Sequence, residues 1–97
     1  MKVTVARIYL SEGEHLQQTL LKRLHDTEKV RGVTVFRGIS GYGHSGRMRG
    51  VGLLDLSLDL PVVVEFFDSP DVVERVLADL EDLLPPEHVI TFAADLR

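Results

Sequence analysis

The residues best suited to chemistry lie between Gly32 and Gly52, in the stretch GVTVFRGISGYGHSGRMRGVG. Seven of the eight glycines fall there. No Asp or Glu occurs between Glu28 and Asp55, while the same run carries Lys29, Arg31, Arg37, Arg47 and Arg49, a formal charge of +5. The first 28 residues balance at zero and residues 55–97 carry −9. A chain of net charge −4 thus holds one positive, donor-rich segment. Successive glycine amides in turns can form anion-binding concavities. Arginine forks match phosphate or carboxylate. The candidate ligand-binding residues are Arg37, Gly38, Gly41, Gly43, His44, Ser45, Gly46, Arg47 and Arg49. Arg37 belongs to a strand, where it could stand at the floor of the site or pair with an acid such as Glu65. A loop that docks a protein partner is the second reading. A solvated loop whose arginines balance acidic helices is the third.

Other chemistries find little support. Gly41-Tyr42-Gly43-His44-Ser45-Gly46 spells G-x-G-x-x-G, but a dinucleotide fingerprint must lead into a helix. Arg47-Met48-Arg49-Gly50-Val51-Gly52 will not start one. The four histidines, His15, His25, His44 and His88, lack metal-motif spacing, and no metal site is assigned. His15 and His25 read as solvated helix residues. No Ser/His/Asp grouping is indicated, and Glu65 reads as a partnered strand carboxylate rather than a general base. No catalytic residue is assigned. The chain has no cysteine, hence no disulfide framework or thiol nucleophile. The negative balance argues against nucleic acid as a partner. No apolar run approaches the ~18 residues that span a bilayer. The opening MKVTVARIYL lacks the apolar region and cleavage site of a signal peptide, so a cytoplasmic location is expected.

The elements that must position these residues follow from periodicity. Ninety-seven residues predict one domain, 1–97. Residues 2–10 are rich in β-branched and aromatic side chains and predict a strand. Ser11-Glu12-Gly13-Glu14 fits a capping box. Leu16, Leu20, Leu21 and Leu24 then predict an amphipathic helix over roughly residues 12–30. Gly32 suits its C-cap. Residues 33–40 predict the second strand, with Gly38 marking a bulge or a close backbone approach. From Gly41 to about Leu56 no period fits; a loop this long in a small domain is usually functional or disordered. Residues 58–67 predict the third strand, with Pro61 near its start or on an edge. Ser69-Pro70-Asp71 opens the second helix, whose buried stripe is Val73, Val76, Leu77, Leu80 and Leu84. Pro85-Pro86 stops it, and residues 88–94 predict the last strand. The order βαββαβ gives an α+β, ferredoxin-like fold: a four-stranded antiparallel sheet with two helices on one face. The strands nevertheless carry apolar residues on both faces, which predicts a homo-oligomer.

The run Gly32-Val-Thr-Val-Phe-Arg-Gly-Ile-Ser-Gly-Tyr-Gly43, followed by Ser45, Arg47 and later Leu60-Pro-Val-Val-Val-Glu65, resembles the DUF190 family. The likeness includes the opening Val-Ala-Arg-Ile-Tyr-Leu and covers nearly the whole chain. That family looks like a branch of the PII-like proteins. The resemblance implies a homotrimer with ligand clefts between subunits, adenine nucleotides as ligand class, and a docking role for the loop 43–56. The connection Leu83–His88 holds neither glycine nor arginine, where PII proteins place a second basic, glycine-rich loop. Beyond the last strand the only basic residue is Arg97. The resemblance also implies an alternative: a scaffold subunit without a small ligand, serving a membrane transporter such as a CrcB-type fluoride channel. A small ferredoxin-like enzyme with an interfacial cleft is the third class. The sequence names no cofactor.

Overall fold

The computed structural model describes residues 1–42 and 60–97. Strand β1 spans Lys2–Ser11 and runs into a single 3-10 turn, Glu12–Glu14. Helix α1 spans Leu16–Lys22 and continues as a π-helical segment, Arg23–Glu28. Strands β2 (Gly32–Arg37) and β3 (Pro61–Asp68), helix α2 (Pro70–Asp79) and strand β4 (Val89–Asp95) complete the βαββαβ order. The sheet is antiparallel throughout, in the order β2-β3-β1-β4. This is the ferredoxin-like arrangement that the periodicities predict.

Register decides the two faces, because residues directly opposite each other in neighbouring strands share a side. Ala6, Ile8 and Leu10 of β1 lie beside Phe66, Val64 and Val62 of β3. These residues are buried. Helix α1 and its extension bring Leu20 and Leu24 onto the same side, and α2 brings Val73 and Val76, with Leu80 just beyond its end. Each such side chain contributes roughly 1.5–3 kcal/mol when fully buried. The opposite face carries Tyr9, Phe36, Ile90 and Phe92, all large, apolar and exposed.

The capping box does not form as predicted. Ser11 is the last residue of β1, and the N-cap of α1 is His15, in the left-handed region at φ 54° with no side-chain cap bond. The 3-10 turn occupies the space that a continuous helix from residue 12 would have filled. At the other end Lys29, not Gly32, takes the left-handed conformation, at φ 53°. The Leu24 carbonyl accepts the amides of both Lys29 and Val30. Gly32 instead opens β2, and a Cβ on it would stand 2.4 Å from Cε1 of Phe67, its partner in the ladder. Gly32 thus lies against the Phe67 ring and does not cap the helix.

Ser69 does sit at the N-cap of α2, with Pro70 following, yet its side chain makes no cap bond. The Asp68 carboxylate accepts the Ser69 amide at 2.7 Å and the Arg31 amide at 2.9 Å, and so ties the start of α2 to the approach to β2. Helix α2 ends at Asp79, and tight turns carry the chain on through Leu83 and Leu84 towards Pro85. β2 ends at Arg37, short of the predicted residue 40, and β3 begins at Pro61.

The left-handed Lys29 yields a test. An L-residue pays roughly 1–2 kcal/mol there, while glycine gives back part of that through unfolded-state entropy. Lys29→Gly is expected to stabilise the protein by about 0.5–1 kcal/mol, and Lys29→Val to destabilise it by about 1–3 kcal/mol. Urea unfolding of the three proteins measures both, and equal midpoints would remove the assigned strain.

Candidate functional site

The root of the glycine-rich run is built by three short polar contacts. The Gly38 amide donates to the Pro61 carbonyl at 2.7 Å, continuing the β2–β3 ladder by one step. A Cβ on Gly38 would stand 2.8 Å from Cγ of Pro61, so the two stems can meet only because residue 38 has no side chain. This is the close approach that a glycine after a strand predicts. The Glu12 amide donates to the Leu60 carbonyl at 3.0 Å. The Glu12 carboxylate in turn accepts from Nε of Arg37. Glu12 therefore grips both stems at once, Arg37 on the β2 side and Leu60 on the β3 side.

This grip sets the electrostatics of the root. The Arg37 hydrogen bond, then its charge and the Leu60 backbone, hold the Glu12 carboxyl below the usual glutamate range against the opposing pull of burial. Glu12 is the reciprocal cause of a raised Arg37. Arg37 thus has Glu12 as its acid, not Glu65 as the sequence allowed. Its side chain remains largely open to solvent, 62% exposed, and Glu12 is its polar partner among the described residues. Ile39 and Tyr42 stand out at 87% and 70% exposure beside it. Of the predicted ligand residues, Arg37, Gly38 and Gly41 gather at this root. Gly43, His44, Ser45, Gly46, Arg47 and Arg49 lie outside the described residues, as does the whole of the docking loop 43–56.

The open sheet face holds a second polar feature. Nε of Arg7 donates to Oε1 of Glu65 at 2.8 Å. The two residues face each other across the β1–β3 ladder. That hydrogen bond is the main reason the Arg7 guanidinium rises above its ordinary value. The guanidinium also lies over the Phe92 ring, 5.0 Å from its centroid, a cation–π contact. Arg7, Tyr9, Phe36 and Val63 line a groove of about 250 Å³ on this face. Glu65 is thus a partnered strand carboxylate, as expected. Arg7 is the residue that sequence reasoning passed over. Its signal was present: one arginine inside Val-Ala-Arg-Ile-Tyr-Leu and one glutamate inside Val-Val-Glu-Phe-Phe each need a partner, and each is the other's.

Among the described residues, His25 and His88 each have a local polar neighbour. His25 lies beside Asp26, with 2.7 Å between Nδ1 and Oδ1, and is solvent-exposed. Nδ1 of His88 donates to the Tyr9 carbonyl at 2.7 Å, extending the β1–β4 pairing. Among the described residues no three His, Asp or Glu side chains group as metal ligands.

With this geometry in view, comparison with known proteins is informative. The model of the DUF190 family (Uncharacterized ACR, COG1993) matches residues 3–95. The chain belongs to the DUF190 family. A UPF0166 protein of Methanocaldococcus jannaschii is 34% identical over 97 residues, covering 93% of this chain and 86% of its own. A UPF0166 protein of Aquifex aeolicus is 36% identical over 85 residues, covering 84% and 81%. Among solved structures, CPII of Thiomonas intermedia K12, bound to ADP and bicarbonate, superposes with a TM-score of 0.64 at 22% identity, covering 99% of this chain and 87% of CPII. A PII-like signalling protein of Thermus thermophilus gives 0.64 at 17% identity, covering 99% and 88%. The DUF190 chain therefore has the PII-like version of the ferredoxin-like fold. No helix among its described residues is long and apolar enough to cross a membrane.

The Glu12 grip predicts an acid-side effect. A carboxyl held low stabilises the fold above the ordinary glutamate value, and that stabilisation is lost as the pH falls through the lowered folded value. Arg37→Gln is expected to remove this component, so wild type and variant should converge in stability at strongly acidic pH and diverge near neutrality. Unfolding midpoints measured from pH 7 downward check it, and a constant gap between the two curves would count against the grip.

Proposed function

We propose that this DUF190 protein is a non-enzymatic, PII-like regulatory protein of the cytoplasm. It assembles as a homotrimer and binds a small anionic ligand, a nucleotide foremost, in the clefts between subunits. It docks a protein partner through residues 43–56. The observation that carries the reading is the gripped root. Arg37 stands there with its side chain exposed, Gly38 and Gly41 let the two stems close on Pro61, and the run that follows adds Arg47 and Arg49 to a segment without acids. Anions are favoured where guanidinium and glycine amide donors converge. The fold shared with CPII, a protein seen with ADP and bicarbonate, supports the ligand class. The apolar open face around Arg7 and Glu65 supports assembly, because one copy leaves Phe36 and Ile90 half exposed.

Assembly and binding are tested separately. Light scattering in solution is expected to give a mass near three chains, and a clean monomer at micromolar concentration would rule the trimer out. Calorimetric titration with ATP, ADP, AMP, cyclic nucleotides, bicarbonate and simple anions tests the site. Charged hydrogen bonds are worth roughly 1.5–3 kcal/mol each, and ~1.4 kcal/mol is tenfold in affinity. The double variant Arg47→Ala/Arg49→Ala is therefore expected to bind about two orders of magnitude more weakly, with the fold intact. Wild type that binds none of these at millimolar concentration would favour the docking role without a ligand, for which a membrane transporter is the partner class. Undiminished binding by the variant would make both arginines bystanders.

A further inference from the structure

Glu12 and Arg37 meet at the root of the glycine-rich run, and the two side chains are unequally exposed. That of Glu12 is 13% exposed and that of Arg37 is 62% exposed. Nε of Arg37 donates to Oε1 of Glu12. Glu12 is fixed by its own backbone. Its amide donates to the Leu60 carbonyl at 3.0 Å, and its carbonyl accepts the His15 amide at 3.1 Å across the 3-10 turn. The carboxylate therefore belongs to a pinned part of the chain, whereas the guanidinium ends a long side chain open to solvent.

An anion that reaches Arg37 from solvent must share the guanidinium with Glu12 or take it away. In either case it rests near a second negative charge, and like charges at one site disfavour each other. A carboxylate with little access to water also cannot readily replace a lost partner by solvent. We propose that Glu12 is a built-in competitor for Arg37: it lowers the affinity of the root for external anions, and a proton on Glu12 relieves that opposition. Resting on the anion site proposed above, this role adds how that site is regulated. Among the described residues, Arg37 is the charged group that acts on the Glu12 carboxyl. The direction of titration agrees with the geometry. The Arg37 hydrogen bond is the largest cause of the lowered Glu12 carboxyl, and burial pulls the other way. When an anion draws Arg37 off, burial remains and the carboxyl rises.

Coupling between two binding events is reciprocal. By whatever factor a proton on Glu12 raises anion affinity, a bound anion raises the proton affinity of Glu12. The free protein holds Glu12 ionised above its lowered value, and there the opposition is complete. With the anion bound, the carboxyl titrates higher. Anion affinity therefore increases as the pH falls through the bound-state value and levels off below the free-state value. Arg37 ends β2, and Glu12 opens the 3-10 turn between β1 and α1. An anion taken up at Arg37 is thus felt at that turn. A carboxylate that merely aimed the guanidinium would have the opposite sign, because it would favour the anion.

Calorimetric titration of ADP, and separately of sulfate, into the full chain and its Glu12→Gln variant tests the competitor. Glutamine keeps the shape and an acceptor for Arg37 but carries no charge. Glu12→Gln is expected to bind about fivefold tighter or more at neutral pH; binding by the variant where wild type shows none supports the same conclusion. Carboxyl-carbon NMR of wild type needs no variant to fold: the Glu12 midpoint should rise when the protein is saturated with the anion that binds. Wild type that binds while Glu12→Gln binds no tighter, or a Glu12 midpoint that the anion leaves unmoved, would overturn the competitor and leave the anion site standing. Neither protein binding either anion at millimolar concentration would overturn both.

Discussion

The double pairing of β1 is the constraint on which the rest of the structure depends. β1 takes β3 on one edge and β4 on the other, so its backbone is spent on the sheet along most of its length. Its two faces must then do different work. Ala6, Ile8 and Leu10 accept the helices, while Tyr9 and Arg7 face away from them. Two helices cannot cover both sides of four strands. What is left is a largely apolar face that carries one internally neutralised pair, Arg7 and Glu65. A lone arginine there would oppose burial against any neighbour; a hydrogen-bonded pair with Phe92 beneath the guanidinium opposes it much less.

The end of β1 also fixes the site. Ser11 leads straight into the 3-10 turn, so Glu12 arrives at the gap between β2 and β3 as soon as the strand stops. A capping box would have turned Glu12 into the first residue of a helix. Its amide and carboxylate instead reach Leu60 and Arg37. The glycine-rich run is thereby pinned at its root through β1, the centre of the sheet. Gly38, Pro61 and Glu12 hold the two stems together at this root.

Fold was legible because it rests on period. Leu16, Leu20 and Leu24 on one side, the Val73–Val76–Leu80 stripe on the other, and four strand-like runs leave few arrangements open. The element ends were less legible, because local motifs compete with tertiary contacts. Ser11 lost its capping role to strand pairing, and Gly32 lies beside Phe67 rather than at a helix end. Ser69 kept its place while Asp68 took its chemistry. At the candidate site, type and spacing pointed to Arg37, Gly38 and Gly41 among the described residues, and these lie at the end of β2 beside Pro61. The partner of Arg37 could not be read off, since it depends on where β1 stops. The Arg7–Glu65 pair needed the β1–β3 register, which no single strand contains.

Glu12 and Glu28 lie on either side of helix α1 and its extension, and their surroundings push them in opposite directions. Arg37 and the Leu60 backbone keep Glu12 ionised, so its contribution belongs to the charged form. Burial first, then the neighbouring Asp79, push up the carboxyl of Glu28, the last residue of the π-helical segment, against Arg75 and Arg23. A carboxyl held low loses its contribution as the pH falls, and one held high loses its contribution as the pH rises. Both lie on segments that bound β2: Glu28 where the chain enters it, Glu12 where the chain leaves it for the glycine-rich run. The strand that presents Arg37 thus has carboxyls of opposite pH sign at its two ends.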